Sequence, residues 1–297
     1  QFETLQLSDT FREKGTDLLK QVRENEWLED KEDGWFNGYY DNDSNPLDNI
    51  DKKDMTLTGQ VFSIMSGAAT NEQIEKIIKS ADKYLYDSSV GGYRLNTNFN
   101  EVKTNMGRLF GFAYGHKENG AMFSHMALMY ANALYKRGFA HAGHKVIESI
   151  YTHSMDLKAS KMYPGIAEYY DPTGRGMYPY LTGSASWMIL TMVREVYGVK
   201  NDMGLAVFEP KLLKQQFGQI SKASINTVLN GKSVSITYKN PSNLDYEDYQ
   251  IDEVFIDETD VSFIRTPEGV KLEKPIAGNK ITIVLGSKKA LKESRSL

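Results

Sequence analysis

Two short stretches hold the residue types that anion and acid–base chemistry require. Gly115-His116-Lys117-Glu118-Asn119-Gly120 runs on to Ser124-His125, and 57 residues beyond that histidine Thr182-Gly183 lies within Tyr180-Leu181-Thr182-Gly183-Ser184-Ala185-Ser186-Trp187. Each stretch puts glycines and polar groups where a helix is expected to begin, and a helix start presents unpaired N–H donors and positive potential to an anion. A phosphate fits such a place. Glu118 precedes His125 by seven residues, two turns of a continuous helix, which predicts carboxylate and imidazole on one side of a shared pocket. A histidine in a buried helix is more often a core residue, and Thr-Gly ahead of a helix is more often its cap. Cap and anion site use the same N–H groups, so both readings of Thr182-Gly183 can hold together.

A second constellation is aromatic. The run from Asp33-Gly34-Trp35-Phe36 to Tyr39-Tyr40-Asp41-Asn42-Asp43 crowds four rings with carboxylates and amides. Sugar rings offer apolar faces that stack on aromatics and hydroxyls that need carboxylate or amide partners, so such a loop suits carbohydrate. The commoner use of these rings is to complete a core. His116, His141, His144 and His153 show no metal-ligand spacing with carboxylates, and no metal is expected. Gly174-Arg175-Gly176 reads as a plain surface turn rather than a phosphate loop.

The elements that must position these residues change character once, near residue 205. Before it, apolar residues recur at helical spacing. Residues 10–27 carry Phe11, Leu18, Leu19 and Val22 with Ser8 or Asp9 as cap; residues 56–69 carry Val61, Phe62, Ile64 and Met65; Asn71 caps a third helix with Ile74, Ile77 and Ile78 inward. Residues 120–137 are apolar almost all round, residues 139–155 more amphipathic, and residues 184–197 dense again. This alternation of buried and half-buried helices reads as a double ring. After Gly204 the period becomes two, with strands expected at 233–238, after the Asn230-Gly231 turn, and at 249–256, 261–264 and 280–285. The expected fold is mainly α: a helical domain over residues 1–204, then a small antiparallel β domain over 205–297, with a polar tail from Lys288.

Composition sets outer limits. A chain of 297 residues can bury a large core and is expected to form two domains. A net charge of -4 with scattered lysines leaves no basic stripe for nucleic acid. The absence of cysteine excludes disulfides and thiolate metal sites and fits a reducing compartment, so cytoplasm is the default, although a secreted protein without bridges has the same composition. No apolar run reaches spanning length, and Gln1-Phe2-Glu3-Thr4 forms no signal peptide, so no membrane is expected.

The segments Asp33 to Asp43, Gln60, Gly91-Gly92-Tyr93, Lys117-Glu118-Asn119-Gly120 with Phe123 and His125, and Leu181 to Trp187 together resemble glycoside hydrolase family 94, the inverting phosphorylases of β-linked glucosides. The resemblance covers nearly all of residues 10–210 in the family's order. It implies part of an (α/α)6 toroid of helical hairpins followed by a β domain. It also implies a direct displacement, in which a carboxylic acid protonates the glycosidic oxygen while inorganic phosphate attacks the anomeric carbon from the opposite face. On this resemblance His125, Thr182 and Gly183 are the expected phosphate ligands. Glu118 is expected to hold acceptor-sugar hydroxyls, with Trp35 and Lys117 also in the sugar site. No cofactor is implied beyond phosphate as co-substrate. The methionine-rich run 120–130, Tyr163-Pro164-Gly165-Ile166 and Arg175 to Tyr180 are closest to the 1,2-β-oligoglucan phosphorylases.

The resemblance also implies something this stretch lacks. The family's general acid is an aspartate in a segment upstream of the first helix read here, so no catalytic acid is assigned in this chain; Asp33, Asp41 and Asp43 match later positions. Six or seven helices stand where twelve are expected. The chain is therefore expected to be the C-terminal part of a longer enzyme that works with the remainder of its catalytic domain, as a dimer by family resemblance. Two other classes fit the residues: an inverting hydrolase on the same helical ring, and a sugar-binding fragment without catalysis.

Overall fold

The computed structural model describes residues 2–163 and 165–288. Gln1, Pro164 of the Tyr163–Ile166 segment and residues 289–297 of the polar tail lie outside the described residues. The chain divides into two compact units, residues 1–137 with 142–187, and residues 138–141 with 188–297.

The first unit begins with α1 (Phe2–Asn25), followed by the antiparallel pair β1 (Trp27–Glu29) and β2 (Gly34–Phe36). Next come α2 (Leu57–Ser66), α3 (Asn71–Tyr84) and the pair β3 (Tyr86–Asp87) and β4 (Gly92–Tyr93). Then follow β5 (Met122–Phe123), α4 (Ser124–Lys136), α5 (Ala140–Met155) and α6 (Leu157–Ser160). Strands β6 (Tyr169–Tyr170) and β7 (Gly176–Met177) complete a three-stranded sheet with β5, and α7 (Gly183–Thr191) follows. α7 runs on into a π-helical turn over Met192–Val196.

Helix ends are tied by side chains. Thr70 caps α3 in a reciprocal box with Gln73. Arg137, just past α4, donates to the carbonyls of Ile64 and Ala69 at 3.2 and 3.0 Å and so closes the open end of α2. Between α2 and α3 lies β2, all three residues buried. Gln60 of α2 accepts from Phe36 N at 2.8 Å and donates to Phe36 O at 2.7 Å, while Ser80 of α3 accepts from Gly34 N at 3.1 Å. One buried amide therefore does for β2 what a neighbouring strand would do.

The second unit is built on β8 (Val199–Asp202), β9 (Leu205–Phe208), β10 (Lys222–Leu229), β11 (Lys232–Lys239), β12 (Tyr249–Ile256), β13 (Thr259–Asp260), β14 (Phe263–Arg265), β15 (Val270–Leu272) and β16 (Lys280–Ser287). They form a five-stranded sheet in the order β10-β11-β16-β12-β13 and a four-stranded sheet in the order β14-β15-β9-β8. Val234, Ile236 and Tyr238 alternate inward along β11, as a half-buried strand requires. β16 runs parallel to β11, so this sheet is not purely antiparallel.

The expectation of a mainly α toroid is corrected. Among the described residues seven α-helices stand beside sixteen strands in five sheets, which is a mixed α and β architecture. The physical cause is local. Seven of the strands lie between or beside helices and are two or three residues long, too short for a period-two pattern to register. Three smaller expectations also change. α1 already spans Ser8 and Asp9, so neither caps it, and Leu7, Phe11 and Leu18 are exposed rather than packed. The helix expected from Gly120 starts at Ser124, because Met122 and Phe123 pair with Tyr170 and Tyr169 instead. Thr70, not Asn71, caps α3.

Candidate functional site

The β5-β6-β7 sheet sets the entry of α4. Ser124 N donates to Glu168 O at 2.9 Å, so the first turn of α4 leaves the sheet edge with His125 in it. α7 opens at Gly183, and the two helix starts meet: a Cβ on Gly183 would lie 2.4 Å from His125 Cε1 and 2.5 Å from Nδ1. No side chain other than hydrogen leaves room for the imidazole. Thr182 Oγ1 accepts from Ser184 N at 3.2 Å and thus caps α7. The imidazole and Gly183 at the start of α7 are brought together, with Thr182 one residue ahead of that contact.

His125 also lines a cleft of about 380 Å³ with Glu118, Phe123, Tyr39, Asn96 and Arg108. Glu118 sits in a turn, not on a helix. Gly115, Lys117 and Gly120 adopt left-handed backbone, Gly115 N donates to Asn119 O at 2.7 Å, and Gly120 N donates to the buried Asn96 Oδ1 at 2.8 Å. Glu118 therefore does not lie two helical turns before His125, although both residues line one cleft. Arg108 Nε pairs with Glu118 Oε1 at 3.3 Å, whereas Glu118 Oε2 is buried with no hydrogen-bond partner among the described residues. An unpaired buried carboxylate oxygen is costly, and a sugar hydroxyl would satisfy it.

The opposite wall belongs to the aromatic loop, which divides its rings. Trp35 is fully buried and packs edge-on to Tyr84 at 5.8 Å, so it is not a cleft residue. Tyr39 and Gly38 reach the cleft instead. Asp48, 2 % exposed, pins this wall to α2: Gly38 N donates to its Oδ2 at 2.6 Å, Thr56 Oγ1 to the same oxygen at 3.0 Å, and Thr56 N to Oδ1. Burial pushes the Asp48 pKa up to about 7, against the pull of those three donors. Asp48→Ala leaves two backbone N–H groups without a partner and is expected to cost about 2–5 kcal/mol in chemical denaturation. The raised carboxyl makes the folded state bind more protons than the unfolded one between about pH 4 and 7. Wild-type stability from this group falls as pH rises through that window and levels off above it; Asp48→Ala is expected to lack that part of the slope.

Burial lowers the pKa of His125, while the nearby Glu168 carboxylate works the other way. The ligand-free ring is thus mainly neutral at neutral pH and gains a proton most readily beside an anion. Lys117 does not line the cleft; its Nζ lies 4.0 Å from the Tyr178 ring centroid. Two aspartates that sequence position left unassigned are engaged elsewhere. Asp33 is buried, which raises its pKa, but bonds from Tyr84, Lys53 and Lys83 outweigh this and hold it low. Asp41 is held low first by the Asn45 N–H. Neither carries a proton at neutral pH as a general acid must. Gly174 and Arg175 lie in the turn between β6 and β7, which Asp171 organises, and Gly176 opens β7. Among the described residues no group of three or more His, Asp or Glu could hold a metal ion, and no helix is long and apolar enough to cross a membrane.

Sequence reasoning missed Arg108, Asn96 and Glu168, and named Tyr39 only as one ring of the aromatic run. The missed residues lie in loops between elements, where no periodicity marks them.

Comparison with known proteins matches residues 5–198 to the family described as the glycosyl hydrolase 94 superfamily, catalytic domain. Similar relatives include a cellobionic acid phosphorylase of Neurospora crassa, 26% identical over 220 residues, which are 66% of this chain and 27% of that protein. An N,N'-diacetylchitobiose phosphorylase of Vibrio proteolyticus is 25% identical over 209 residues, 65% of this chain and 26% of that protein. A solabiose phosphorylase of Paenibacillus borealis is 26% identical over 150 residues, 48% of this chain and 19% of that protein. The chain spans about a quarter or less of the length of these relatives.

Proposed function

The chain belongs to the glycosyl hydrolase 94 superfamily, and on that premise we propose that the intact protein cleaves a β-linked glucooligosaccharide by phosphorolysis, releasing α-glucose 1-phosphate and a shortened sugar. The observation that carries this reading is the contact between the His125 ring and Gly183 beside a cleft that Glu118 also lines. Phosphate bonds to the imidazole, the Thr182 hydroxyl and the N–H groups opening α7, which hold it in line with the anomeric carbon. Glu118 takes acceptor-sugar hydroxyls. As phosphate oxygen attacks, the glycosidic C–O bond breaks and the leaving oxygen takes a proton from an acid outside this stretch, so the configuration inverts. Phosphate is a co-substrate, not a cofactor.

The remainder of the catalytic domain supplies that acid. Leu7, Phe11 and Leu18 of α1 are 55%, 65% and 64% exposed, and together they offer a face that such a remainder would cover. Within the family we place the activity nearest to 1,2-β-oligoglucans, on the motifs that follow His125. The matched relatives are named for other disaccharides, which makes the linkage the first thing to measure. The intact protein is incubated with β-1,2-, β-1,3- and β-1,4-glucooligosaccharides, with and without inorganic phosphate. Phosphate-dependent α-glucose 1-phosphate, greatest on the β-1,2 series, is the expected result. Sugar released equally without phosphate would overturn phosphorolysis and leave a hydrolase.

A further inference from the structure

Beyond the cleft the β5-β6-β7 sheet lines up aromatic rings. Phe123, itself a cleft residue, is the cross-strand neighbour of Tyr169 and stacks on it with centroids 5.9 Å apart and planes 13° apart. Tyr178 follows at 5.9 Å from Tyr169, and Tyr180 at 5.7 Å from Tyr178. The row passes from the cleft wall through buried Tyr169 to Tyr180, which is 60% exposed. Lys117 Nζ stands 4.0 Å from the Tyr178 centroid and 5.9 Å from that of Tyr169. Tyr178 holds this place with φ of 61°, a left-handed conformation that costs a bulky residue about 1–3 kcal/mol. A strained tyrosine aimed into a row of rings is not what core packing alone selects.

We infer that Phe123, Tyr178 and Tyr180, with Lys117, form an extended sugar-binding track that takes the glucosyl units of the acceptor beyond the one held at Glu118, with buried Tyr169 packed behind Phe123 as its support. Pyranose rings stack on aromatic faces, and the Lys117 ammonium donates to ring and hydroxyl oxygens alongside. The track is continuous with the cleft through Phe123, which is why a carbohydrate chain leaving the cleft is its occupant. This inference rests on the phosphorylase reading above and assigns the protein a preference for oligosaccharides over disaccharides.

The test compares kcat/KM for a β-glucan trisaccharide and tetrasaccharide with that for the disaccharide, in the intact protein and in Tyr180→Ala, Tyr180→Phe and Tyr178→Gly. Tyr180 is largely exposed, and glycine suits the left-handed backbone at 178, so both truncations keep the fold. The long-to-short ratio is expected to drop about tenfold in each truncation, the equivalent of one lost stacking contact, and to recover in Tyr180→Phe. Equal losses at all lengths, or none, would overturn the track. A lowered melting temperature in Tyr180→Ala with an unchanged ratio would do the same and mark the row as a packing face. Calorimetric titration of the trisaccharide without phosphate keeps the two ideas apart: weakened binding in Tyr180→Ala together with no phosphate-dependent product sinks the phosphorylase reading and retains the track.

Discussion

Gly183→Ala is expected to cost about 10²–10³-fold in kcat/KM for phosphate while the protein folds normally. The added methyl would stand 2.4 Å from His125 Cε1, 2.5 Å from Nδ1 and 2.9 Å from Nε2. Nothing in the helix resists the change: Gly183 has no left-handed backbone to protect, and alanine is a better helix former than glycine. The conflict therefore falls on the imidazole, the end of a rotatable side chain, which must swing away. The N–H donors of α7 then lose their partner in holding the anion, and the methyl narrows the space the anion needs. Phosphate titrations of rate, run beside a thermal melt, check both halves. An unchanged phosphate KM would show that the anion sits elsewhere.

His125→Ala is expected to produce a loss of similar size, about 10²–10³-fold in kcat/KM for phosphate, with a smaller change in KM for the sugar. Burial depresses the pKa of this ring below its ordinary value. The charged, stronger donor is present below that lowered pKa and is lost as pH rises through it, so phosphate affinity should weaken with rising pH. His125→Gln keeps a neutral donor and removes the titration. The ratio of wild-type to His125→Gln affinity, measured across pH, cancels the titration of phosphate itself. That ratio should fall as pH rises. A flat ratio would mean that the ring never carries charge in the complex, and equal effects on phosphate and sugar would deny His125 its role as an anion ligand.

The helices that carry the site were legible because their apolar faces repeat at a spacing that burial enforces. Ile74 and Ile77 of α3 are fully buried and recur at a spacing that only a helix puts on one face. Strands β11, β12 and β16 announced themselves by alternation. Residue types marked the two helix starts as places an anion could sit, and the family resemblance singled out His125, Thr182 and Gly183 within them. Three things were not legible. The paired strands between helices are two or three residues long, shorter than any periodic signal, so the chain read as more helical than it is. Trp35 and Tyr39 look alike as aromatics in one loop, yet Gln60 draws the β2 backbone into the core, burying Trp35, while Tyr39 remains on the cleft. Glu118 was paired with His125 through a helical register it does not have, while its sugar role came from the family resemblance.

By itself, then, the sequence determined which residue types are available for chemistry and which long segments are helix or strand, because both follow from side-chain identity and from contacts near in sequence. Only the tertiary structure decided that His125 lies against Gly183, that Glu118 leaves one oxygen unpaired in the same cleft, and that Asp48 staples the far wall. The first joins segments 58 residues apart and the others cross irregular loops 8 to 10 residues apart, and no local period encodes either kind. They exist because the backbone donors and acceptors of β5, β6, β7 and the 33–48 loop had to find partners once buried.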